Sequence, residues 1–194
     1  MGRRAKVVLA GAGLLAVVGG VALERFLAHG VSARDQPTAL EAFVAQRLRH
    51  LAVPRAQREA RNPLPLADET LASARAHFAD HCASCHGNDG RGRTQLGQNL
   101  YPKAPDMTLD DTQRLSDGEL FWIVRNGVRL TGMPAWGRGT PEDDRQTWEL
   151  VHLIRHLPEI TPEELSEMEG MNPRNPKEIE EELQMKRFLE GGGR

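Results

Sequence analysis

The chain has only two cysteines, and they stand three residues apart in "FADHCASCHGNDG": Cys82 and Cys85, with His86 directly after the second. No other feature constrains the fold as tightly, because each chemistry that uses such a pair needs a different scaffold. A redox dithiol of the thioredoxin type sits in a βαβ pattern. A structural zinc site needs two more ligands at short spacing elsewhere. Covalent haem attachment needs the histidine directly after the second thiol, and then either a distal ligand or an open sixth position on the iron.

The rest of the sequence discriminates among these. "DETLASARAHFADHC" runs into the pair with helical period, Leu71, Ala74 and Phe78 falling on one side. Residues 87–115 are loop-like and rich in Gly and Pro. Nothing in the chain alternates like a set of strands, so the dithiol reading is weak. For zinc, His77 and His81 precede the pair on the same helix. His152 and His156, at i and i+4, are the one far pair, and that arrangement leaves His86 without a purpose. All four of these histidines read as surface or packing residues.

Haem accounts for all three residues of the motif. A helical turn puts Cys82 and Cys85 on one side, where two thiols meet two vinyl groups, and His86 comes next as the ligand beneath the iron. A thioether is the usual partner of histidine in carriers and raises the potential. Of the six methionines, Met1 is N-terminal and Met168, Met171 and Met185 lie in a polar tail. Met107 in "APDMT" reads as a pocket wall. Met133 in "LTGMPAWG" sits in a Gly- and Pro-flanked loop between two predicted helices and reads as the second axial ligand. Pro134 stiffens that loop, and Trp136 is expected to cover the haem edge.

Arg3, Arg4 and Lys6 precede an uncharged run from Val7 to Leu23. As a helix this run is ~26 Å long at ~1.5 Å per residue. It crosses a bilayer core of about 30 Å once extended into Ala5 or toward Leu27. The basic cluster should stay in the cytoplasm, which exports the remainder. A cleaved signal peptide competes with the uncleaved anchor, "VSA" ending at Ala33 being an acceptable cleavage site.

The chain reads as four segments: a membrane anchor or signal segment at 1–30, an amphipathic helix and Pro-rich linker at 31–68, a haem domain at 69–158, and an acidic tail at 159–194. In the second, Thr38 and Glu41 have capping-box spacing. Leu40, Phe43, Val44, Leu48 and Leu51 form a stripe expected to pack on the domain or on a partner, with Glu41, Arg47 and Arg49 off it. Within the domain, Ser116 and Glu119 open one helix that Gly127 closes, and Thr140 with Pro141 opens the last. In the tail, Thr161–Glu164 and Asn175–Glu178 read as caps of two short helices that lie on the domain surface or dock to a partner, with a solvated charged face as the alternative. With 25 Lys+Arg against 27 Asp+Glu, no nucleic-acid partner is implied.

"FADHCASCHGNDGRG", "APDMT", "LSDGELFWIVRNGVRLTGMPAWG" and "WELVHLIRHL", in that order, resemble a class I (mitochondrial-type) cytochrome c domain over roughly 69–158. The resemblance implies an all-α fold around one covalent haem c, with Cys82 and Cys85 as thioether attachments and His86 and Met133 as axial iron ligands. It implies a crossing of the first and last helices, with Phe78 as the aromatic at the contact. Ala74 stands where the family often has Gly, and Leu153 where an aromatic is common, for which nearby Trp148 compensates. It implies a backbone carbonyl on the proximal histidine, from Pro102 or Pro105.

The expected function is one-electron transfer on the periplasmic side of a bacterial cytoplasmic membrane, between a redox donor and a redox acceptor. The N-terminal helix would hold the membrane, and the tail could dock to a respiratory complex. Competing readings are a fixed subunit of a larger oxidoreductase and, less favoured, a haem peroxidase or sensor with a labile sixth ligand.

Overall fold

The computed structural model describes residues 2–29 and 32–189. Residues 30–31, at the end of the N-terminal segment and beginning the "VSA" site, and the last five residues of the tail lie outside the described residues. The chain divides into two units, Met1–Gln36 and Pro37–Arg194.

In the first unit, α1 (Arg3–His29) is one uninterrupted helix whose described side chains are all exposed. Its stretch Arg3–Ala28 is long and apolar enough to cross a membrane.

The second unit is helical throughout, with no strand among the described residues. Its helices of eight residues or more are α2 (Ala39–Ala52), α3 (Asp68–His77), α4 (Asp117–Asn126), α5 (Pro141–His156), α6 (Pro162–Glu169) and α7 (Pro176–Leu189). The fold is all-α, as the resemblance implies. Its most extensive helix pair is α3 on α5, the first-on-last contact that the resemblance implies. Ala74, Phe78 and Leu153 are at most 2% exposed in that core. Truncating a fully buried Phe such as Phe78 to Ala typically costs about 3–5 kcal/mol. Trp148 plays a different part from the one expected. It stacks on Phe121 at 4.2 Å and 21°, so it joins α5 to α4 and leaves Leu153 to fill the crossing.

The helix starts obey their caps. Ser116 and Glu119 close a reciprocal capping box on α4, Thr140 and Asp143 one on α5, and Thr161 and Glu164 one on α6. Each satisfies backbone donors that a helix end leaves orphaned. The expected Asn175–Glu178 cap involves a side chain outside those described.

The structure sharpens three expectations. First, the α2 stripe does not pack on the domain: Leu40, Phe43, Leu48 and Leu51 are 61–73% exposed and no residue of the helix is buried. At ~100° per residue Arg47 also falls within the stripe, between Phe43 and Leu51. Second, the extended connector after α2 is laid along the domain. Val53 is buried. Asn62 Nδ2 donates to the Trp148 carbonyl at 2.8 Å, and the Leu64 carbonyl meets His152 Nε2 at 2.9 Å.

Third, the packed body continues past residue 158. Met168 is fully buried in the core and Met171 packs against it. Arg75 pairs with Glu164 and Glu167 at 3.0 Å each, and His156 with Glu164 at 2.9 Å. Only α7 matches the expected solvated tail, with Phe188 and Leu189 exposed.

Candidate functional site

The helix carrying the cysteines is not regular. After α3 the backbone widens into a π-helical turn, Phe78–Cys82, and tightens again over Ala83–His86. Such a turn inserts a residue and rotates the side chains beyond it. Here the rotation falls just before Cys85 and His86. The turn ends at Gly87, whose N–H donates to the Ala83 carbonyl at 2.8 Å.

The loop after the motif clamps it from outside. Thr94 Oγ1 donates to the Cys85 carbonyl at 3.0 Å and accepts from Gly97 N–H at 2.9 Å. A Cβ on Gly97 would stand 2.1 Å from the Cys85 carbonyl oxygen, so no larger residue allows this approach. Gly92 N–H donates to the His86 carbonyl at 2.7 Å. Met107 lies buried in the core, in keeping with a wall.

Cys82 and Cys85 are free and partly buried. Burial, and then the neighbouring Cys85, push the Cys82 thiol up to about 12. A thiol held neutral is a poor redox nucleophile. Burial likewise lowers the pKa of His86, and the Pro105 carbonyl opposes that shift. The net direction favours neutral imidazole, the ligating form. Nδ1 of His86 is buried and closes no hydrogen bond of ordinary geometry. Of the two prolines expected to supply a carbonyl to this ring, Pro105 is the one that acts on it.

The Met133 loop is held to α4. Met133 N–H donates to Thr131 Oγ1 and its carbonyl accepts from Val128 N–H, both at 3.1 Å. Trp136 N–H reaches the Val124 carbonyl at 3.3 Å. Gly127 has φ +64, and a Cβ there would lie 2.5 Å from the Pro134 carbonyl carbon, which makes glycine a requirement of the turn. Cys82, Met133 and Trp136 are partly buried against the same core cluster. The Trp136 ring stacks on His81 at 5.4 Å and 24°, and His81 meets His77 edge-on at 5.0 Å. The residue before the first cysteine thus touches the loop beyond Met133. His81, read from sequence as a surface or packing residue, packs on the loop that carries Met133. Only an aromatic at 136 and a ring beside the cysteines hinted at it.

The donor set suits a porphyrin better than a bare ion. Among the described residues no group of three or more His, Cys, Asp or Glu is placed to hold a metal. His152 and His156, the far half of the zinc reading, are engaged with the Leu64 carbonyl and Glu164. Two unbridged thiols and an adjacent, buried imidazole at the end of one helix fit a haem bound through its edge and its iron.

Residues 69–154 match the family model described as cytochrome C oxidase, cbb3-type, subunit III. They form a class I cytochrome c domain. The domain's cofactor is haem c and its chemistry is electron transfer. No curated protein matches the chain. Among solved structures, a chain of the Kuenenia stuttgartiensis reducing HAO-like protein complex is 23% identical, with a TM-score of 0.42, over 50% of this chain and 49% of that one. The chain thus spans about half the length of that relative.

Proposed function

We propose that the protein is a membrane-tethered electron carrier with a single haem c, exposed on the periplasmic side of a bacterial cytoplasmic membrane. Cys82 and Cys85 hold the porphyrin as thioethers. His86 and Met133 are the axial ligands, and Trp136 covers the group's edge. When bound, haem supplies a one-electron couple; the chain supplies its fixed environment. Burial keeps His86 neutral and able to ligate, and the Pro105 carbonyl is the acceptor toward which its Nδ1–H would turn once iron holds the ring. The π turn sets the angle of Cys85 and His86 to Cys82. Thr94 and Gly97 hold that angle. With both axial positions filled by protein, no site remains for a substrate, so the protein is a carrier and not an enzyme.

The observation that carries this reading is the contact of Trp136 with His81, which ties the Met133 loop to the attachment helix. The sequence holds one Cys-x-x-Cys-His motif, which supports one haem. The basic N-terminal end of α1 supports a cytoplasmic N-terminus and an exported domain. The segments are then an anchor (1–30), an amphipathic helix and linker (31–68), the haem domain (69–158) and an acidic tail (159–194), of which α6 is packed on the domain. The test is carbon monoxide added to reduced protein at neutral pH. Slow or no binding supports two protein ligands, and ready binding contradicts Met133 ligation.

A second reading makes the chain a fixed subunit of a larger oxidoreductase. It is favoured by α7, whose Phe188 and Leu189 are each 74% exposed and would dock to a respiratory complex. Detergent purification separates the two: a carrier emerges alone, a subunit with its neighbours.

A further inference from the structure

Helix α2 is joined to the domain by residues behind and beside its apolar stripe. Ala42, Arg49 and His50 are its partly covered residues; at ~100° per residue Ala42 and Arg49 lie opposite the stripe, while His50 and Glu41 flank it on either side. His50 Nδ1 pairs with Glu119 Oε1 at 2.6 Å, its Nε2 meets Arg58 Nη1 at 3.0 Å, and Tyr101 donates to Glu41. Leu40, Phe43, Val44, Leu48 and Leu51 consequently point away from the core. An amphipathic helix of a soluble domain buries that stripe; this one presents it.

Two observations say what covers it. The connection from His29 to Ala39 is nine residues, at most about 36 Å over its ten steps at ~3.3–3.6 Å each. If α1 spans a bilayer, α2 begins within reach of its surface. Arg47 lies inside the stripe, exposed. In a protein interface an unpaired guanidinium there would be costly, whereas at a bilayer surface it lies level with phosphates while the apolar side chains enter the acyl boundary. Arg47 is the one charged residue within the stripe, and its positive charge suits anionic headgroups.

We infer that α2 is an interfacial helix that lies on the phospholipid surface through Leu40, Phe43, Val44, Arg47, Leu48 and Leu51. The inference rests on the reading of α1 as an anchor. Its C-terminal end, pinned through His50 and Val53, fixes the height and tilt of the haem domain over the membrane. The carrier then presents one face to its partners and does not swing freely on the linker.

The test is lipid photolabelling of the full-length, haem-loaded protein. It is reconstituted in vesicles of phosphatidylcholine and phosphatidylglycerol containing phosphatidylcholine with a diazirine near the headgroup, and adducts are mapped by mass spectrometry. Adducts on Phe43, Leu48 and Leu51 as well as on α1 are expected. In Phe43→Ser/Leu48→Ser protein they should fall several-fold on α2, with the haem spectrum unchanged because neither residue is buried. Adducts on α1 alone would overturn the inference and leave the anchor standing. Adducts on neither would overturn both. Protection of α2 by a co-purifying protein, with cross-links to that protein in place of lipid, would also overturn it.

Discussion

His81 and Trp136 stack at 5.4 Å and 24°, joining the residue before the first cysteine to the loop three residues past Met133. The contact spans the two halves of the site. Aromatic pairs of this kind contribute about 0.5–1.5 kcal/mol beyond their buried area. Removing it with Trp136→Ala should raise the fraction of protein with a released Met133 loop by between about two- and tenfold. Carbon monoxide binding to the reduced variant measures that fraction, and Trp136→Phe should restore most of the wild-type behaviour.

Met133→Ala removes the proposed sixth ligand outright. The variant should bind carbon monoxide readily. Its potential should drop by on the order of a tenth of a volt, a modest part of the ~0.8 V range set by axial ligands. Redox titration and the carbon monoxide difference spectrum check both. If neither moves, Met133 is a packing residue.

Met168 tests where the domain ends. It is fully buried although it lies in a Glu-rich stretch beyond the family match. Met168→Ala should destabilise the protein by about 2–5 kcal/mol, measured by urea unfolding monitored at the haem band. Met185→Ala, in exposed α7, should change stability by less than about 0.5 kcal/mol.

Glu119 links α2 to the domain and should make stability depend on pH. Burial raises its pKa, but the Ser116 N–H and His50 outweigh this and hold it below its ordinary 4.5. A carboxylate depressed in the folded state contributes stability above its unfolded pKa and loses it as pH falls through the folded value. Glu119→Gln should therefore cost about 1–3 kcal/mol near neutrality, as expected for a hydrogen bond to a charged group. The gap from wild type should close as pH drops below the ordinary carboxylate range. Denaturant midpoints at pH 7 and pH 3.5 measure it; a constant gap would contradict the hydrogen-bonded carboxylate.

Much of this was legible in residues whose consequences are local. The caps at Ser116, Thr140 and Thr161 act within one turn, and each forms in the fold. Spacing alone set Cys82, Cys85 and His86 on one helical end. Contacts between distant segments were not legible. Met168 reads as polar tail because its neighbours are Glu and Ser, yet one apolar residue per turn suffices to dock α6. The α2 stripe has helical period whether domain, partner or lipid covers it, so periodicity could not say which way it faces. Trp148 and Trp136 were each assigned a nearby task, and each stacks on a ring from another segment: Phe121 and His81. The π turn at Phe78–Cys82 has no sequence signature at all.

The most direct test is intact mass with an alkaline-pyridine haem spectrum, on protein matured in a host competent for haem attachment. A covalent monohaem carrier gives the polypeptide mass plus one haem and a spectrum of two thioether bonds, with both lost in Cys82→Ala/Cys85→Ala. Colourless protein at the mass of the bare polypeptide would contradict the assignment of Cys82, Cys85 and His86.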